Sequence, residues 1–72
     1  MGDEVTATRA PAEMPETPAG LDAARFAEGW LAGRAVAAGG EPVANPFAAG
    51  TPEARSWDVG YYHGLGAGLR RG

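Results

Sequence analysis

The chain has no cysteine and no lysine, and no apolar run approaching the roughly 20 residues of a membrane span. Without cysteine there is neither a disulfide framework nor a thiolate metal site, so a small core must be held by packing or by a partner. Without lysine every cation is an arginine: Arg9, Arg25, Arg34, Arg55, Arg70 and Arg71. That usage suits planar, bidentate contacts as well as it suits a GC-rich genome. The N-terminus shows neither the basic nor the apolar region of a secretory signal. A soluble, cytoplasmic protein with no membrane association is expected. MGDEVT fits the loose myristoylation pattern, but Asp3 and Glu4 directly behind Gly2 oppose binding to anionic lipid.

Seventy-two residues make at most one domain, too small for a large catalytic cleft. Glycine and proline are plentiful, 12 and 6 residues, near the level at which part of a chain stays unfolded. The net charge of −3 is unevenly spread. Residues 1–20 hold Asp3, Glu4, Glu13 and Glu16 against Arg9, together with Pro11, Pro15 and Pro18 and no aromatic residue. Such a segment buries too little apolar surface to offset the entropy of ordering, so an acidic, disordered tail over 1–20 is expected. The domain proper is then 21–72, in which acids and arginines balance.

Two helices are expected in that domain, near residues 22–38 and 52–66. Asp22 suits the N-cap of the first, and Gly39-Gly40 a stop; Thr17 as cap with Pro18 at the first helical position is an alternative start. The second has Thr51 as cap, Pro52 at the first position and Glu53 in the first turn, where a carboxylate complements the helix dipole. Gly64, Gly66 and Gly68 should fray it from about Gly66. Between them GGEPVANPFAAG reads as a loop, in which Asn45 before Pro46 favours a turn and Phe47 plugs onto the helices.

FAEGWLAG (26–33) and WDVGYYHG (57–64) share the form aromatic, two residues, glycine, aromatic, two residues, glycine, offset by 31 positions. At 100° per residue Phe26, Gly29, Trp30, Gly33 and Ala37 form one stripe, and Trp57, Gly60, Tyr61, Gly64 and Gly68 the matching one. Glycines four apart let backbones approach closely, by analogy with small-residue seams in membranes. The expected architecture is all-α, a two-helix antiparallel hairpin, with the glycines as holes for the other helix's aromatic rings. A repeat able to pair with itself permits a monomer or a homodimer.

The order Gly29-Trp30 and Gly33, then Asn45-Pro46-Phe47, then Trp57, Gly60, Tyr61 and Gly64 resembles the ribosome modulation factor family, including its quinolone-resistance branch. The resemblance spans about residues 22–64. It implies a small two-helix protein that binds the small ribosomal subunit near the 3′ end of its rRNA, blocks messenger engagement and promotes ribosome hibernation.

Away from the seam, Arg55, Tyr62 and Leu69 share a stripe, extended by Arg70 and Arg71; Leu31 holds Tyr62's repeat position on the first helix. Arginine pairs with phosphate and a ring stacks on an unpaired base, so Arg55, Tyr62, Arg70 and Arg71 are candidates for rRNA or partner binding. The plain alternative is a solvated face with one exposed tyrosine. His63, the single histidine, lacks a partner at a spacing that would make it a base, and is expected to face solvent. HGLGAGLRRG has Leu69 where a dinucleotide fingerprint needs its third glycine, and no strand precedes it. No catalytic residue, cofactor or metal site is expected. Three readings remain: a ribosome-binding regulator of translation; a protein-interaction module, of the kind a phage or mobile element encodes, that engages or inhibits a host protein; and a small modifying enzyme.

Overall fold

The computed structural model describes residues 14–71 in backbone and 14–70 in side chains. It contains two helices, α1 (Ala23–Ala37) and α2 (Pro52–Arg71), and no strand among the described residues. The all-α, two-helix expectation is met. For the disordered tail expected over 1–20, residues 1–13 lie outside the described residues. Met14 to Pro18 form no regular element, and a tight turn follows in which the Leu21 amide donates to the Pro18 carbonyl at 3.2 Å.

Both helix starts follow from their caps. The Asp22 carboxylate accepts from the Arg25 amide at 3.0 Å, so α1 starts there and not at Thr17. The Thr51 hydroxyl accepts from the Ala54 amide at 3.2 Å and donates to the Ala48 carbonyl at 2.7 Å. Pro52 occupies the first helical position, where its missing N–H leaves nothing unpaired. At the far end of α1, Gly39 takes φ +107°, open to glycine at little cost. Its amide bonds the Val36 carbonyl at 3.0 Å and that of Gly40 bonds Ala35 at 2.8 Å, a Schellman stop.

The two helices run parallel, not antiparallel. A methyl group built on Gly29 would meet the Trp57 carbonyl and, at 3.0 Å, the Tyr61 amide; one on Gly33 would meet the Tyr61 carbonyl and, at 2.6 Å, the Leu65 amide. Moving up α1 therefore moves up α2. The contacts are reciprocal: Gly60 faces the carbonyl of Phe26, and Gly64 that of Trp30. Subtracting the repeat offset of 31 turns each contact into its counterpart, so an approximate twofold axis runs along the pair. The connection from Ala38 to Thr51 must return from the end of α1 to the start of α2. Its length exceeds the roughly 2–8 residues that usually join adjacent helices in bundles.

This geometry also corrects the role of the seam glycines. What occupies the space over each is the partner's backbone carbonyl, not a ring. Each glycine turns a Cα–H toward that oxygen, a weak contact repeated four times along the seam. The rings flank the contact: Phe26, Trp30 and Trp57 are buried, with Ala54, as the apolar core. Trp57 stacks on Tyr61, centroids 5.1 Å apart, and Phe26 meets His63 at 5.8 Å. Thus His63 is exposed, as expected, but its ring also leans on the core.

Nor does α2 fray at Gly66; it continues through Arg71. Parallel pairing explains this, because Gly68 lies against the Ala37 methyl and the Arg34 side chain, so the late turns are packed on α1. At the opposite end Ser56, 1% exposed, accepts from the Asp22 amide at 2.8 Å and donates to the Pro52 carbonyl at 3.0 Å. One buried hydroxyl thereby ties the start of α1 to the first turns of α2.

Candidate functional site

The outer face of α2 forms one wall of an open groove of about 1070 Å³. The turn at Ala19 to Leu21 and the returning connection at Asn45, Phe47 and Thr51 supply the other walls. From α2 come Arg55, Asp58, Val59 and Tyr62. Positions 55, 58 and 62 recur at helical spacing and so point the same way.

Asn45 builds the groove. Its carbonyl accepts from the Phe47 amide at 2.9 Å, the turn expected of an asparagine before proline. Its amide nitrogen donates to the Ala54 carbonyl and to Asp58 Oδ1, both at 2.8 Å. Phe47 is half-buried and carries the Arg25 guanidinium 5.2 Å from its ring centroid. The Asn45-Pro46-Phe47 tripeptide thus does pack on the helices, and does so by clamping the connection to α2.

Of the expected contact residues, Arg55 and Tyr62 come together in this groove. Tyr62 is 69% exposed, its orientation set by an edge contact with Tyr61 at 5.7 Å. Arg55 is exposed and, among the described residues, its guanidinium makes no hydrogen bond or ion pair. Arg70 is exposed too, but sits about 22 Å farther along the helix axis, at 1.5 Å per residue, and is not part of the groove. The Arg71 side chain lies outside the described residues. Leu69 and Leu31 are exposed, so the repeat position shared by Leu31 and Tyr62 faces outward on both helices.

Sequence reasoning missed two polar residues. Ser56 looks like a surface serine, yet it extends the row Gly60, Gly64, Gly68 by one step of four, and that spacing was the available signal. Asp58 carried no signal, since its role depends on the connection folding back over α2. Among the described residues no group of three or more histidines, cysteines or carboxylates converges, and no helix is long and apolar enough to cross a membrane. Comparisons with protein-family models, with curated proteins and with solved structures return no match to this chain.

Proposed function

We propose that the chain is a non-enzymatic binding protein that engages exposed RNA of the small ribosomal subunit through the outer face of α2 and restrains translation by doing so. The observation that carries the reading is one open groove offering an unpaired arginine and an exposed tyrosine two turns apart. A guanidinium pairs with phosphate and a ring accepts an unstacked base, the two contacts that single-stranded RNA asks for. The ribosomal target is supported by the ordered motifs at Gly29-Trp30, Asn45-Pro46-Phe47 and Trp57 to Gly64, which resemble the ribosome modulation factor layout. An enzyme has less support: His63 leans on Phe26 and, among the described residues, no carboxylate or hydroxyl bonds it.

A host-protein partner is the competing reading, favoured by the net charge of −3, which RNA would repel. Sedimentation with purified small subunits separates the two. The full chain should co-sediment at low salt, and the variant carrying Arg55→Ala and Tyr62→Ala should not. Losing Arg55 should also flatten the salt dependence by about one unit of slope per phosphate contact. Absence of association at low salt, or association that survives removal of accessible RNA, would sink the RNA reading.

A further inference from the structure

A surface that only collected phosphates would have no use for a carboxylate, yet Asp58 lies in the groove between Arg55 and Tyr62. It is also held in place. Asn45 is fixed by its bonds to the Phe47 amide and the Ala54 carbonyl, and with the same amide nitrogen it grips Asp58 Oδ1 at 2.8 Å. Asp58 makes no ion pair with Arg55 among the described residues, although the two are three apart on one helix. The carboxylate thus keeps acceptor capacity toward the groove, and the guanidinium keeps its donors.

Tyr62 lies one turn beyond Asp58, with its ring exposed. A base stacked on that ring brings its edge within reach of the carboxylate, and the chemistry of the edge decides which base is held. Guanine presents two neighbouring donors, N1–H and the N2 amino group, which match the two oxygens of a carboxylate. Adenine and cytosine offer one amino group beside a ring acceptor that the carboxylate repels. Uracil offers one N–H between two carbonyls. We infer that the groove takes an unpaired guanine from an RNA strand, with the base on Tyr62, its N1–H and N2 amino group on Asp58, and the adjoining phosphate on Arg55. This deepens the RNA reading and rests on it. Asp58 is then the specificity determinant, and Asn45 its positioning residue.

The test uses the full chain and labelled single-stranded oligouridines of about seven nucleotides, carrying one central guanine, inosine, adenine or uracil. Fluorescence anisotropy at low salt should show the guanine strand binding about tenfold more tightly than the adenine strand, the discrimination expected of one bidentate base contact. Inosine, which lacks the N2 amino group, should fall between. Asp58→Asn should abolish the difference between the guanine and adenine strands. Circular dichroism checks that this variant stays folded, and Arg55→Ala, which should weaken all strands alike, supplies a second handle on the same groove. Equal affinity for all strands would overturn the guanine assignment and leave the RNA reading standing. No binding of any strand, alongside no association with ribosomal subunits, would remove the reading beneath it. A guanine preference that persists in Asp58→Asn would overturn the role of the carboxylate, and guanosine monophosphate binding as tightly as the strand would overturn the strand as ligand.

Discussion

The two faces of α2 obey different rules. On the inner face, Ser56 accepts from the Asp22 amide, and Gly60, Gly64 and Gly68 meet α1 so closely that the partner's carbonyls or, at Gly68, the Ala37 side chain stand where a methyl group would go. On the outer face, Arg55, Tyr62 and Leu69 are exposed, and among the described residues the Asp58 carboxylate is bonded only to Asn45 of the connection. One helix therefore carries the fold on one stripe and, on the function proposed above, the chemistry of recognition on the other. Substitutions on the inner stripe should move stability, and those on the outer stripe binding. The sharpest way to break this comparison is to find a substitution that moves the wrong quantity.

The largest effect is expected at Trp30, 1% exposed between the helices. Trp30→Ala should cost about 3–5 kcal/mol. A core of so few apolar side chains supplies little more than that, so the variant should be largely unfolded at room temperature. Its indole Nε1 is buried without a hydrogen-bond partner among the described residues, which trims the loss but does not reverse it. A cooperative melt close to that of the parent chain, followed by circular dichroism, would show that the seam is not what holds the helices together.

Next come the seam glycines. Alanine is the better helix former by about 1 kcal/mol, so a glycine-to-alanine change in an isolated helix stabilises. At Gly60 the added methyl would meet the Phe26 carbonyl carbon at 2.9 Å and the Trp30 amide at 3.0 Å, and neither can move without parting the helices. Gly60→Ala should therefore destabilise by about 2–3 kcal/mol, as overpacking does, and Gly29→Ala likewise by the approximate twofold. Gly66 is the control on the same helix. A methyl there meets only the Arg70 guanidinium at 3.5 Å, the tip of a flexible side chain. Gly66→Ala should raise stability by up to about 1 kcal/mol. Urea melts of the three variants give the signs, and a shared sign for Gly60 and Gly66 would refute the carbonyl contact.

The contrast between faces also marks how far the sequence could be read. Caps are local chemistry, so Asp22, Thr51, Pro52 and the Gly39-Gly40 stop were legible one residue at a time. The repeat was legible as a pair of stripes, because periodicity reports which residues share a face. Periodicity has no direction, however, and a stripe of glycines fits a parallel partner as well as an antiparallel one. The usable clue was the connection from Ala38 to Thr51, longer than an antiparallel neighbour needs. Fraying after Gly66 was a sound statement about propensity. It failed because Ala37 and Arg34 pack on the late turn, a tertiary contact that exists only if the helices run the same way. Of the site, Arg55 and Tyr62 were legible from their spacing of seven, whereas the groove and Asp58 depend on where Asn45 lands.

The smallest stability effect is expected where the binding effect should be greatest. Arg55 and Tyr62 are exposed, sit on a well-capped helix and, among the described residues, make no hydrogen bond or ion pair through their side chains. Surface substitutions away from caps and buried partners usually stay within about 0.5 kcal/mol, and alanine suits a helix at both positions. Among the described residues the edge contact with Tyr61 is the one ring contact that Tyr62→Ala removes, and exposure keeps its worth at the low end for aromatic pairs. The variant carrying Arg55→Ala and Tyr62→Ala should therefore melt within about 0.5 kcal/mol of the parent chain, while losing the RNA association proposed for this face. Melting and sedimentation on one preparation decide it. Loss of binding accompanied by loss of fold would mean that the outer stripe also carries the structure, and the separation of the two faces would not stand.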